Sequence, residues 1–404
     1  MDLLKGVGVV IDNGIGEEEN INRIISKVHD KGIPTTEFKS IDSAKKCMHN
    51  FLAVNFIILD WKMESLSTES PIGVKGGQEL IDEAKQKVIE FIKELKKHCF
   101  APIFIFTNEA QADIETDILA KLRNAGLYYD QDGKDFIYVR NKKEILKYNR
   151  LFKEINEWIN KMPSIYLLKA WDKEFLKVKN ELFWDLYNRS QGGWPKVLWN
   201  HYKDEYEVPH VCINEVICQL IFSKITLQGI DENIIVKSRE KPALKEIKDI
   251  FRKVMFQDGE INGSKLEGIR PGDIFKDNGK YYLNIRPECD TVEGRHGGKI
   301  VYLLKGERVA ANDMRKLKKK QYSLSGLNAK NCEAFIWLLE GDGIVKFDFR
   351  NIEAKDFTAM KEKRLCRLLS PYITNIQQRY SSYLGRFAVP RLPKAIEEDI
   401  LKVS

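Results

Sequence analysis

The sequence predicts an α/β protein. A doubly wound, five-stranded parallel sheet comes first, then a helical middle region, then an α+β C-terminal region with a small antiparallel sheet or barrel. Three observations carry this. Residues 51–63 read FLAVNFIILDWKM and residues 101–106 read APIFIF. Apolar runs of that kind, rich in β-branched and aromatic residues, belong to strands covered on both faces. Helical patterns separate the runs, the alternation that builds an open parallel sheet. Beyond residue 260, short strand-like segments are joined by turns, as in antiparallel hairpins.

Taken in order, Val7 to Ile11 is a strand ending at Asp12-Asn13-Gly14. Glu17 to His29 follows as a helix with Ile21, Ile24, Ile25 and Val28 on one face. Thr35 to Lys39 is a second strand and Asp42 to His49 a second helix. The run Phe56-Ile57-Ile58-Leu59 is the third strand, and it leads directly into Asp60. A loop over 61–77 precedes a helix from about Gln78 to His98. Ala101 to Phe106 is the fourth strand, stopped by Thr107-Asn108-Glu109. Asp113 to Ala125 is helical, Phe136 to Val139 is the fifth strand, and Lys142 to Lys161 is the closing helix. Met162-Pro163 breaks that helix and marks a boundary. The expected domains are therefore 1–162, 163–258 and 259–404.

The middle domain is helical and unusually aromatic, with Trp171, Phe175, Phe183, Trp184, Tyr187, Trp194, Trp199 and Tyr202 close together. A core packed with rings is the expected explanation, ahead of a partner interface. In the last domain Ile274-Phe275, Lys280 to Ile285, Lys299 to Leu304, Glu333 to Leu339 and Gly343 to Phe349 read as strands. Pro371 to Pro390 reads as one helix, with Tyr372, Ile376, Tyr380, Leu384 and Phe387 closing the sheet.

The chain has 404 residues, 43% of them hydrophobic and 31% charged, which fits a folded multidomain protein and excludes a disordered one. No apolar run is long enough to span a bilayer, and the N-terminus lacks the layout of a signal peptide. Seven scattered cysteines without a CxxC pair point to a reduced, cytoplasmic setting with no membrane role. The net charge of +7 is uneven: residues 1–160 carry −3 and the remainder +10. The second half is thus suited to an anionic partner, either nucleic acid or an acidic protein surface.

Asp60, at the C-terminal edge of a buried strand, sits where open α/β sheets place their chemistry. The order of elements, with Asp12-Asn13 after the first strand, Asp60 after the third and Thr107 after the fourth, resembles the receiver domain of bacterial response regulators. The resemblance covers about 40% of the chain. It implies that Asp60 is the phosphoacceptor and that Asp12, Asn13, Thr107, Arg140 and Lys142 line its pocket. Asp12 and Asp60 would hold Mg²⁺, a cation that takes one or two carboxylates plus water. This chain departs from the pattern where Asn13 replaces one acid and where Arg140-Asn141 stands at the usual lysine, with Lys142 and Lys143 just beyond. The resemblance therefore implies either a phosphorylated receiver or a pseudo-receiver that only binds.

Asp12-Asn13-Gly14-Ile15-Gly16 also spells the nucleotide-binding box of histidine-kinase-type ATPases. Only eleven residues precede Asp12, too few for the helix that this family sets before the box, and no glycine-rich lid sequence follows. The glycines shape a turn instead.

Two further clusters stand out. Cys289, Asp290, Arg295 and His296 fall in one polar loop and could form a metal or nucleophilic site. A lone Cys with a His seven residues on is, however, no recognised metal spacing, and hairpin tips are commonly polar. Arg315, Lys316, Lys318, Lys319 and Lys320 make the densest basic run, suited to phosphate contacts or to a solvated loop.

The expected function is a cytoplasmic regulatory protein that receives a signal at the Asp60 crevice and acts on a partner protein, with an enzymatic activity of its own left open. Analogy with the family adds a setting in bacterial signalling or defence operons, where a kinase-like ATPase is often encoded alongside. The alternative is a receiver-controlled effector that binds DNA or RNA through its basic C-terminal half. The sequence leaves the oligomeric state open.

Overall fold

The computed structural model describes residues 4, 6–63, 77–127, 136–203, 209–226, 230–236, 241–261, 264–266, 268–290, 299–310, 332–337, 339, 343–385, 393, 394 and 396. The chain divides into two compact units, Met1–Gly192 with Ile217–Glu240, and Gly193–Val216 with Lys241–Ser404. The helical middle contributes segments to both.

In the first unit β1 (Val7–Ile11), β2 (Thr35–Phe38), β3 (Val54–Leu59), β4 (Ile103–Thr107) and β5 (Ile137–Asn141) form one parallel sheet in the order β2-β1-β3-β4-β5. Between and after them run α1 (Glu19–His29), α2 (Ile41–Cys47), α3 (Gly77–Leu95), α4 (Gln111–Asp113), α5 (Leu119–Asn124), α6 (Lys142–Leu146) and α7 (Leu151–Asn160); a π turn over Ile114–Ile118 joins α4 to α5. Strand side chains alternate between faces, and both faces are buried. Ile57, Leu59, Ile103 and Ile105 pack with Val88 and Ile92 of α3 and Leu122 of α5. Phe56, Ile58, Phe104 and Phe106 pack with Ile21 and Ile24 of α1 and with Ile155 and Trp158 of α7. Each such side chain taken from water stabilises the fold by roughly 1.5–3 kcal/mol, which is why the central strands carry apolar residues at consecutive positions.

Two local expectations are corrected here. Helix α1 starts at Glu19, not Glu17, because the preceding residues form a turn in which the Glu17 and Glu18 amides donate to the Gly14 carbonyl. The single helix expected over 142–161 is broken, with Tyr148 and Asn149 at left-handed φ values of 50° and 59°.

Pro163 begins a helix rather than only ending one. Helix α8 (Pro163–Ser190) carries it at the first turn, where its missing N–H costs nothing. Ile165 and Tyr166 of α8 join the second of the two cores. There follow α9 (Trp194–Lys203), α10 (Pro209–Lys224), α11 (Glu232–Val236) and α12 (Leu244–Met255). The aromatic middle is not the ring-packed core expected. Trp184 is 64% exposed and Phe222 66%, and Tyr187 and Trp199 are also exposed. The buried contact there is aliphatic, formed by Val178, Leu182 and Ile221. Rings distributed around a 28-residue helix cannot all reach one packed face.

The second unit is built on an antiparallel sheet of seven strands in the order β12-β13-β11-β10-β9-β14-β6. Its members are β6 (Phe256–Asp258), β9 (Asp273–Asp277), β10 (Lys280–Asn284), β11 (Ile300–Arg308), β12 (Glu333–Trp337), β13 (Ile344–Asp356) and β14 (Arg364–Leu368); β7 (Glu260–Ile261) and β8 (Ser264–Lys265) pair separately. One face packs Ile274, Leu283, Leu304 and Phe347 against Ile373 and Ile376 of the C-terminal helix Tyr372–Leu384. That helix closes the sheet with Ile373, Ile376, Tyr380 and Tyr383; Leu384, expected in the stripe, is exposed, and Phe387 lies outside the described residues. Buried Asp273 ties β9 to β14 by accepting from Arg367 Nε at 2.7 Å and from an Arg364 guanidinium nitrogen at 3.1 Å.

The basic run Arg315, Lys316, Lys318, Lys319 and Lys320 lies outside the described residues, as do Arg295, His296 and the side chain of Cys289. Asp290 is exposed, in a short 3₁₀ turn over Glu288–Asp290. Among the described residues no helix is long and apolar enough to cross a membrane.

Candidate functional site

In a parallel sheet of order β2-β1-β3-β4-β5 the strand order reverses between β1 and β3, the switch point at whose C-terminal end open α/β sheets place their ligand sites. Ile11 pairs with Leu59, so Asp12 and Asp60 are the next residues out on adjacent strands. Backbone bonds hold both at that point: the Asp12 amide donates to the Phe38 carbonyl at 3.0 Å, and the Asp60 amide to the Ile11 carbonyl at 2.9 Å.

Both carboxylates are buried, and Lys142, fully buried at the start of α6, lies between them. Its Nζ is 2.7 Å from Asp12 Oδ2, 2.8 Å from Glu18 Oε2 and 3.6 Å from Asp60 Oδ1. Asn141 aims this lysine by capping α6, its side chain accepting from the amides of Lys143 and Glu144. Asp12 Oδ1 accepts the Gly14 amide at 2.8 Å, whereas Oδ2 meets Lys142 in distance but has no partner of hydrogen-bonding geometry. Gly14 has to be small, since a Cβ there would fall 2.7 Å from Glu18 Cβ and 3.1 Å from Asp12 Oδ1.

Burial pushes the Asp60 carboxyl up to about 7, with Lys142 opposing and the Asp12 and Glu18 charges reinforcing the shift. Asp12 is also raised, chiefly by burial, against the pull of Lys142. Burial alone would lower Lys142, but Asp60, Asp12 and Glu18 outweigh it and hold the ammonium raised. At neutral pH the site therefore holds a charged lysine beside an Asp60 carboxyl that burial inclines to keep its proton.

The other sequence-predicted residues are placed as follows. Thr107 is buried at the end of β4, paired across the ladder with Asn141, and its hydroxyl accepts the Glu109 amide at 3.2 Å. Asn13 is half-buried and enters none of these ion pairs. Arg140 turns away from the pocket, pairing with Glu154 at 3.6 Å and lying over the Tyr138 ring. Of the two cations named for the pocket, Lys142 alone reaches the carboxylates. Glu18 is the pocket residue that sequence reasoning missed. Read as part of a helix beginning at Glu17, it had no reason to face Lys142, and the one available signal was the acidic run Glu17-Glu18-Glu19 just after the first strand.

Fold and site together define a doubly wound α/β domain with a carboxylate–lysine pocket at its switch point. The chain matches no protein-family model and no curated protein sequence.

Proposed function

We propose that the N-terminal unit is a receiver-like module with Asp60 as phosphoacceptor, within a response-regulator-like signalling protein that acts on a partner protein. The observation that supports this best is the meeting of Asp12, Asp60 and Lys142 at the crevice between β1 and β3. An ionised Asp60 oxygen attacks the phosphorus of an acyl phosphate or phosphorylated partner. The aspartyl O–P bond forms as the donor's bond to phosphorus breaks, and the electron pair leaves with the donor. Lys142 is placed to hold the oxygens of the resulting acyl phosphate, and Thr107, ending the neighbouring strand, supplies a hydroxyl.

Asp12 and Asp60 are the residues that would hold Mg²⁺. They stand next to each other at the strand ends, with the Asp12 Oδ2 atom now facing Lys142 Nζ at 2.7 Å. Among the described residues no group of three or more His, Cys, Asp or Glu is set to hold a metal, and Mg²⁺ usually takes one or two carboxylates plus water. Bound at Asp12 and Asp60, the ion would neutralise the transferring oxygens. The charge added at Asp60 would then bias the surface seen by the partner, in a cytoplasmic signalling or defence setting with a kinase-like ATPase as donor.

Incubation with acetyl phosphate and Mg²⁺ should add one phosphoryl mass to the wild type and none to Asp60→Asn, read by intact-mass spectrometry. A wild type that gains no mass at saturating donor overturns the phosphoacceptor role and leaves a binding module.

A further inference from the structure

Glu18 stands at the N-cap position of α1, yet its side chain caps nothing. It spans the pocket mouth instead. Oε2 is 2.8 Å from Lys142 Nζ, and Oε1 accepts from Asn108 Nδ2 at 3.0 Å. One carboxylate thereby links the start of α1, the β4–α4 loop and the lysine at the head of α6. Its grip on the lysine is also uneven, because the ammonium sits closer to Asp12 and Glu18 than to Asp60. Glu18 is the outermost of the four, its side chain 26% exposed against 8% for Asp60 and 0% for Lys142.

A phosphoryl group on Asp60 would bring about two negative charges and three acceptor oxygens to the same ammonium. Lys142 offers a single positive charge that Asp12 and Glu18 already share at 2.7 and 2.8 Å, so a phosphoryl group on Asp60 would compete with them for it and raise the repulsion among the anions. Glu18 is the partner able to leave, being the more exposed and attached to a turn rather than to a strand end.

We propose that Glu18 is the resting occupant of Lys142, an internal carboxylate that the phosphoryl group displaces, so that loading Asp60 unclasps α1 from the β4–α4 loop. The proposal rests on Asp60 being the acceptor and names the element that responds first. A purely structural ion pair would hold α1 equally well before and after loading.

The test uses the full chain with acetyl phosphate and Mg²⁺, and combines intact mass with hydrogen exchange over residues 17–22 and 107–111. Loading should raise exchange in both segments. Glu18→Gln should show that raised exchange without donor and load Asp60 about tenfold faster than wild type, a coupling of ordinary allosteric size. Asn108→Ala, which cuts only one end of the clasp, should give intermediate exchange. Phosphoryl gain with unchanged exchange, or a Glu18→Gln variant that loads at the wild-type rate, overturns the clasp and leaves the acceptor role intact. Absence of phosphoryl gain in the wild type and both variants overturns the acceptor role itself, and the displacement with it.

Discussion

Asp12 and Asp60 occupy matching positions one residue beyond the paired ends of adjacent parallel strands, and both approach the Nζ of Lys142, at 2.7 Å and 3.6 Å. The 47 residues of chain between them bring two acids to one buried cation.

The pH dependence of Asp60 gives a prediction with a definite sign. In the unfolded chain this carboxyl loses its proton near its ordinary value of 3.8, whereas in the fold it keeps the proton up to about pH 7. The folded state therefore binds more protons between those values, and stability falls as pH rises through the window. Asp60→Asn removes the loss. Its thermal midpoint should exceed that of the wild type by an amount that grows from pH 4 to pH 7 and then levels off. An equal difference at pH 4 and pH 8 would count against the buried, proton-retaining Asp60. Phosphoryl uptake by the wild type should also slow as pH falls below about 7, since only the ionised carboxylate attacks.

Lys142→Met leaves Asp12, Asp60 and Glu18 without their shared counter-charge. Breaking a buried ion pair from one side typically costs about 3–5 kcal/mol. The loss should be greater at pH 8 than at pH 5, because at low pH the stranded carboxyls take up protons. Urea denaturation at the two pH values measures it, and a smaller loss at pH 8 would contradict the arrangement.

Asp273 holds two buried arginines of the seven-stranded sheet, Arg364 and Arg367. Asp273→Ala strands both, and a loss of about 3–5 kcal/mol is expected by the same reasoning. Asp273→Asn, which keeps one acceptor oxygen, should lose less. Denaturation midpoints of the two variants decide the order.

Trp184→Ala and Phe222→Ala should each change stability by about 0.5 kcal/mol or less, since both rings are mostly exposed. A loss of several kcal/mol in chemical denaturation would restore the ring-packed core expected from composition.

Much of the first unit is written in local pattern. The consecutive apolar residues of Phe56–Leu59 and Ile103–Phe106 can be satisfied only by a strand buried on both faces, so a parallel sheet with acids at its strand ends follows from residue order. The exposed rings of α8 and α10 and the pairing of β14 with β6 had no comparable local mark. A ring is equally apolar on either side of a helix, and two short strands more than a hundred residues apart find each other only through the completed sheet.

By itself, then, the order of residues determined the sheet, its β-strand ends and the placing of Asp12, Asp60 and Thr107 there, because strand periodicity and burial are properties of neighbours in the chain. The tertiary structure alone decided that Lys142 rather than Arg140 turns inward, and that Glu18 crosses the mouth to meet it. Those outcomes depend on which partners lie across space. Glu154 draws Arg140 to one side, and three carboxylates from distant positions create the buried field that keeps Lys142 charged on the other.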